Sequence, residues 1–130
     1  MLAFLTMLQL LKDSMTIVLL ILAIIFNATA NILMKLGAGR IKTFALNVAG
    51  IKEFILNPFV VTGIISFGIT LILYTYVLSK MNLSIAYPLM TATGFLIVTT
   101  FSVFYLKEVV LMPQIIGMVL VVGGLWLIAR

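Results

Sequence analysis

Asn27, Asn31 and Lys35 stand at i, i+4 and i+8 of an otherwise apolar run, so on a helix they share one face. A carboxamide in hydrocarbon is costly unless it finds a partner, which turns such a face inward or toward a wet cavity. Two amides then supply donors and acceptors for a polar ligand, and Lys35 supplies positive charge at one mouth. The same residues suit a plainer purpose, because Asn also bonds across membrane helices and Lys can snorkel toward headgroups. Tyr87-Pro88 and Thr91, one turn on, form a second polar group. Proline near a helix entrance frees a carbonyl, and Tyr presents both an aromatic face and a hydroxyl. Ser66, Thr70 and Tyr74, again at steps of four, carry less information, since a hydroxyl can satisfy itself on the preceding turn. Tyr74, Tyr76 and Tyr105 fall near the expected ends of spans, where an aromatic belt explains them.

The acids are placed differently. Asp13, Glu53 and Glu108 sit near the ends of the long apolar runs or between them, and no run holds an Asp, Glu or His in its interior. The chain therefore offers no obvious intramembrane proton carrier. With no Cys and no His, it has no disulfide framework, no imidazole switch and no thiolate or imidazole metal site. No nucleophile–base pair is evident either, so neither an enzyme nor a cofactor or metal is expected.

These groups must be positioned by membrane helices. A chain that is 65% hydrophobic and 8% charged cannot cover a soluble globule with polar surface. The expected fold is an all-α membrane protein, one domain of four transmembrane helices at about 15–36, 58–78, 85–106 and 114–129. The first span, at about 22 residues, is roughly 33 Å long. Asn57-Pro58 opens the second, where proline suits a first turn. Residues 1–11 are too short to span and read as an interfacial helix ending at Lys12-Asp13-Ser14. Between the first two spans, Ile41, Phe44, Val48, Ile51 and Ile55 recur at helical spacing, with Lys42, Asn47, Gly50, Lys52 and Glu53 largely between them. This predicts an amphipathic helix over about 41–57, lying in the interface or packed on the bundle end.

Lys12, the run Ile17–Phe26 and Ala28-Thr29-Ala30 imitate a signal peptide, but the apolar pattern resumes through Ile32, Leu33 and Met34, so retention is expected. The net charge of +5 resides mostly at the ends of apolar runs, without a contiguous basic face, which speaks against nucleic acid. Lys35, Arg40, Lys42, Lys52 and Lys107 fall on one side of the layout and Lys12, Lys80 and Arg130 on the other. That small bias favours both termini outside and also permits dual insertion. Gly117 and Gly124, seven apart on the fourth span, share a face that lets a neighbouring backbone approach and suits a dimer seam.

Ile85-Ala86-Tyr87-Pro88, Gly94, Lys107-Glu108, Ile115-Ile116-Gly117-Met118, Gly123-Gly124 and Leu33-Met34-Lys35 together resemble the drug/metabolite transporter superfamily. Two branches compete. Small multidrug resistance transporters, antiparallel or dual-topology dimers, imply an essential first-helix glutamate eight residues before the lysine of Leu-Met-Lys, and that count lands on Asn27. Tyr87 matches their third-helix tyrosine. Their tryptophan is replaced by Met90, and their Gly-x-Gly by Ala92-Thr93-Gly94. Gly117 and, approximately, Gly124 match their dimer glycines. The other branch comprises EamA-type half-carriers and the subunits implicated in flipping aminoarabinose-linked undecaprenyl phosphate, closest in pattern to this chain. It does not depend on that glutamate, and it fits the segment 41–57.

The resulting expectation is a multi-pass protein of the bacterial inner membrane that works as a homodimer or with a homologous subunit. A polar cavity lined by Asn27, Asn31, Tyr87 and Thr91 would alternate its exposure, with a lipid-linked sugar phosphate or similar amphipathic cargo. Its acyl part would stay among membrane lipids while Lys35 meets phosphate. A proton-coupled drug exporter is the first alternative and needs a titrating carboxylate, Glu108 or Asp13 lying closer than the layout suggests. A non-transporting assembly partner of another membrane protein is the second.

Overall fold

The computed structural model describes residues 1–42 and 45–128, so Phe44 and Arg130 lie outside the described residues. Five helices follow one another: α1 Leu2–Ala38, α2 Val48–Leu56, α3 Pro58–Leu78, α4 Leu83–Phe104 and α5 Met112–Ile128. No strand occurs among the described residues. Three segments are long and apolar enough to cross a membrane: Lys12–Ala38 within α1, α3 and α4. The apolar α5 is shorter.

The expected break at Lys12-Asp13-Ser14 is absent, and α1 runs through it for 37 residues. The physical reason is that these three residues are only moderate helix formers, none of them a Gly or Pro. Thr16 also bonds back to the Lys12 carbonyl at 3.0 Å. The connecting helix is shorter than expected. Residues 41, 42 and 45–47 are not helical, and α2 starts where the Asn47 side chain accepts from the Gly50 N–H at 2.8 Å. None of its residues is buried, and it touches only α3 among the helices. The bounds expected for the second to fourth spans lie within two residues of those of α3, α4 and α5 at each described boundary. Of these three helices, α3 and α4 are long and apolar enough to cross a membrane.

Packing centres on α1 against α3 and, secondarily, α4. Small residues bring the α1 and α3 backbones together. Ala30 is fully buried, and a Cβ added at Gly63 would lie 3.3 Å from its carbonyl oxygen. At the end of α1, a Cβ on Gly37 would lie 2.7 Å from Val60 Cγ2. Asn57 ties this corner. Its Nδ2 donates to the Gly37 carbonyl at 3.0 Å, while its Oδ1 accepts from the Phe59 and Val60 N–H groups that open α3. Arg40, just beyond α1, stacks over the Phe59 ring at 4.1 Å.

Nearer the opposite end, Leu20, Ile24, Val77, Ala86 and Met90 form a core cluster against which Tyr74 packs. Tyr74 thus turns inward, unlike the belt position its place near a span end suggested, and its hydroxyl is buried without a hydrogen-bond partner. The remaining hydroxyls of α3 serve themselves, Ser66 on the Thr62 carbonyl and Thr70 on that of Ser66. Gln114 opens α5 by accepting from the Leu111 N–H at 2.7 Å, one half of a capping box. Beyond that, α5 leans on α4 alone among the helices and buries no residue.

Candidate functional site

The polar face of α1 is built as its spacing requires. Asn27 faces α4 where Gly94 leaves room, and a Cβ on Gly94 would come within 3.3 Å of the Asn27 Nδ2. One turn on, Asn31 donates from Nδ2 to the Asn27 carbonyl at 2.8 Å, which leaves its Oδ1 to accept. A further turn on, the Lys35 ammonium meets the Glu108 carboxylate at 2.8 Å.

Glu108 reaches Lys35 because of the backbone between α4 and α5. Lys107 adopts a left-handed conformation with φ 57°. The chain turns back there, so that the Glu108 N–H donates to the Ser102 carbonyl at 3.2 Å. The Ser102 hydroxyl also donates to the second carboxylate oxygen of Glu108. The hydrogen bond from Lys35, then that from Ser102, hold the Glu108 carboxyl below the usual carboxylate range.

Asn31, Lys35, Ser102 and Glu108 thereby line one small cleft of about 170 Å³, floored by Val98 and Phe101. Ser102 and Glu108 also border a larger, mostly apolar cavity of about 610 Å³ between α4 and α5. That cavity shares Phe95 and Val121 with a third of about 460 Å³, where Thr91, Pro88 and Gly124 lie. The track follows α4 from Ser102 to Pro88, 14 residues or roughly 21 Å.

Of the residues singled out from sequence, Asn31 and Lys35 therefore share the cleft, with Asn27 one turn above it. Tyr87 and Thr91 lie toward the other end of α4. Tyr87 is exposed, and the Thr91 hydroxyl is engaged with the Tyr87 carbonyl at 2.8 Å. Gly117 borders the larger cavity, and beyond the local helix backbone nothing lies within 4 Å of where a Cβ would stand on Gly117 or Gly124. Ser102 is not among the residues singled out from sequence, and Glu108 enters there as a span-end acid and as the carboxylate a proton-coupled exporter would need. A signal for them existed: successive spans alternate direction, so the ends of the first and third lie on one side. Lys35 and Glu108 are therefore confined to the same rim.

Comparison with known proteins fixes the family. The sequence model of the Small Multidrug Resistance protein family matches residues 42–121, more than half of the chain, and the chain belongs to that family. The match covers α2 to α4 and more than half of α5, and it begins after the polar face of α1. A relative from Sinorhizobium fredii, the uncharacterized protein y4nH, is 28% identical over 118 residues, covering 91% of this chain and 97% of the relative. No solved structure matches the chain significantly. The family is one of small multi-pass membrane transporters rather than enzymes, in keeping with the apolar helices.

Proposed function

We propose that this protein moves an amphipathic substrate with an anionic head, most simply a lipid-linked sugar phosphate, across a bacterial inner membrane. The observation that carries the reading is the composition of the cleft. Its one cation, Lys35, stands beside a donor–acceptor amide, and the first helix holds no carboxylate between Asp13 and its end. A phosphate suits Lys35, sugar hydroxyls suit Asn31 and Asn27, and the apolar track along α4 suits a hydrocarbon tail. Tyr87 and Thr91 would meet the substrate later on its path, as the cleft changes the side to which it opens.

The loose packing of α5, whose Gly117 and Gly124 border open cavities against α4 instead of a close-packed helix, supports pairing with a second copy or a homologous subunit. Four helices scarcely enclose a path, and α5 lacks an inner neighbour other than α4. The test is reconstitution into vesicles. An undecaprenyl-phosphate-linked sugar should change leaflets at a rate that depends on the protein, while a cationic dye should not be exported. The reverse result would dismiss this cargo.

Family membership favours a second reading, a proton-coupled exporter of cationic drugs. Proton exchange needs a carboxyl that titrates near neutrality. Asn27 does not titrate, and Glu108 is drawn the other way by Lys35 and Ser102. Drug-driven proton release from the purified protein would restore this reading. A third, a non-transporting assembly partner, draws on the same loose packing of α5. It would be favoured by co-purification with one stoichiometric membrane protein.

A further inference from the structure

We propose that Glu108 is a built-in competitor for Lys35, occupying the ammonium in the empty protein and yielding it to the phosphate head of an entering substrate. The inference rests on the anionic-head reading above and adds the residue that sets its selectivity.

Three observations carry it. First, Glu108 is delivered to Lys35 by a specific backbone device, the left-handed Lys107, with the Ser102 carbonyl and hydroxyl fixing both the backbone and the far carboxylate oxygen of Glu108. A carboxylate held on one oxygen by a hydroxyl and on the other by an ammonium presents the geometry of half a phosphate. Second, the pair is open to solvent, the two side chains being 62% and 44% exposed. Exposed pairs contribute little to stability and are easily exchanged, so this one suits a removable plug better than a brace. Third, Glu108 stands where the polar cleft meets the apolar cavity, bordering both. A ligand with its head at Lys35 and its tail along α4 must pass this carboxylate.

The charges and titratable groups around Glu108 are few: Lys35 from α1, Lys107 beside it in the chain, and the neutral Ser102 of α4 and Gln114 of α5. Selectivity follows from charge. The phosphodiester of a lipid-linked sugar carries one negative charge on two free oxygens and displaces the carboxylate with the help of its sugar contacts at Asn31. A phosphomonoester probe, with close to two charges at neutral pH and three acceptor oxygens, outcompetes the carboxylate for the ammonium by charge alone. A neutral head does not displace Glu108, and a cationic head has no reason to approach Lys35.

The experiment uses the full chain in maltoside micelles with dodecyl phosphate as probe and dodecyltrimethylammonium as its cationic counterpart. Glu108→Gln should bind dodecyl phosphate about two- to fivefold more tightly than wild type, the range an exposed ion pair commands. Lys35→Met should lose that binding, and the double variant should be no better than Lys35→Met. Without any ligand, carbon-13 NMR of the Glu108 carboxyl should show titration below the ordinary range in wild type and a return toward it in Lys35→Met. Equal or weaker phosphate binding by Glu108→Gln would overturn the competitor while leaving the anionic-head reading intact. A Glu108 that titrates alike with and without Lys35 would overturn it without reference to any substrate. Binding of the phosphate probe by no variant would overturn both. If dodecyltrimethylammonium then bound wild type and not Glu108→Gln, Glu108 would be a cation site instead.

Discussion

Gly94 on α4 stands directly across from the Asn27 amide, and a Cβ there would lie 3.3 Å from Asn27 Nδ2. That spacing is tight but the neighbour is the end of a side chain, so Gly94→Ala should fold with a small loss of stability and a displaced amide. If the amide faces substrate, transport should fall severalfold while melting temperature changes by only a few degrees. Gly94→Val, with a branched side chain in the same gap, should lower both. Paired thermal melts and vesicle assays check this.

Asn27→Ala and Asn31→Ala separate site from glue. As substrate-facing residues, both should depress transport more than they depress the amount of folded protein. Asn31 gives the cleaner answer, since it lines the cleft and its own amide bond is to the Asn27 carbonyl one turn back. Matching losses of activity and folded yield would assign the pair to helix association.

The corner joining α1 to α3 should be the most sensitive point of the fold. Asn57 is buried, bonded to Gly37 and capping α3. Asn57→Ala removes the cap and leaves the Gly37 carbonyl without that donor, for a cost of about 1–3 kcal/mol. Gly37→Ala sets a methyl against Val60 backbone and side chain and should be at least as damaging. Both should show as reduced thermal stability in detergent with transport lost in proportion.

The Lys35–Glu108 pair has a definite pH window. The carboxyl is depressed in the folded protein, so what the pair contributes is present above the ordinary carboxylate value of about 4.3 and disappears only as pH falls through the lower, folded value. Between pH 5 and 8 the pair stays closed. Phosphate-probe affinity should still rise over that interval, because the ligand's second ionisation lies near pH 6. Glu108→Gln should show the same rise, which places the titration in the ligand.

Tyr74→Phe should be neutral or stabilising. It removes a buried hydroxyl that has no partner and leaves the ring against the core cluster of Leu20, Ile24, Val77, Ala86 and Met90. A marked loss of transport without loss of stability would instead give that hydroxyl a substrate-facing part.

The apolar helices were legible because hydropathy and helix length constrain each other, and three of them hold segments long and apolar enough to cross a membrane. Pro58, Pro88 and Pro113 lie within the first six residues of their helices. The stripe Asn27–Asn31–Lys35 was legible from spacing alone. The continuity of α1 was not, since a polar triplet resembles a boundary when nothing shows how the turns on either side pack. The inward turn of Tyr74 and the engagement of Glu108 were likewise hidden. Each depends on a neighbour distant in sequence, and for Glu108 on a left-handed Lys107 that no residue preference announces. The glycines expected at a dimer seam are not the ones that pack closely within the chain. Among the described residues the close backbone approaches between membrane-length helices fall at Gly37 and Gly63, while Gly117 and Gly124 border the cavities between α4 and α5 with nothing of another element within 4 Å of a Cβ.

At 37 residues, α1 is roughly 56 Å long, against about 30 Å of hydrocarbon to cross. Its early turns make a rigid pointer fixed to the same rod that bears Asn27 and Lys35. A rocking of ten degrees or so at the cleft would sweep the early turns through about 8 Å. A spin label at the exposed Leu5 would register that sweep as a distance change, and so time any tilt of α1 that accompanies the proposed transport, with no label near the cleft.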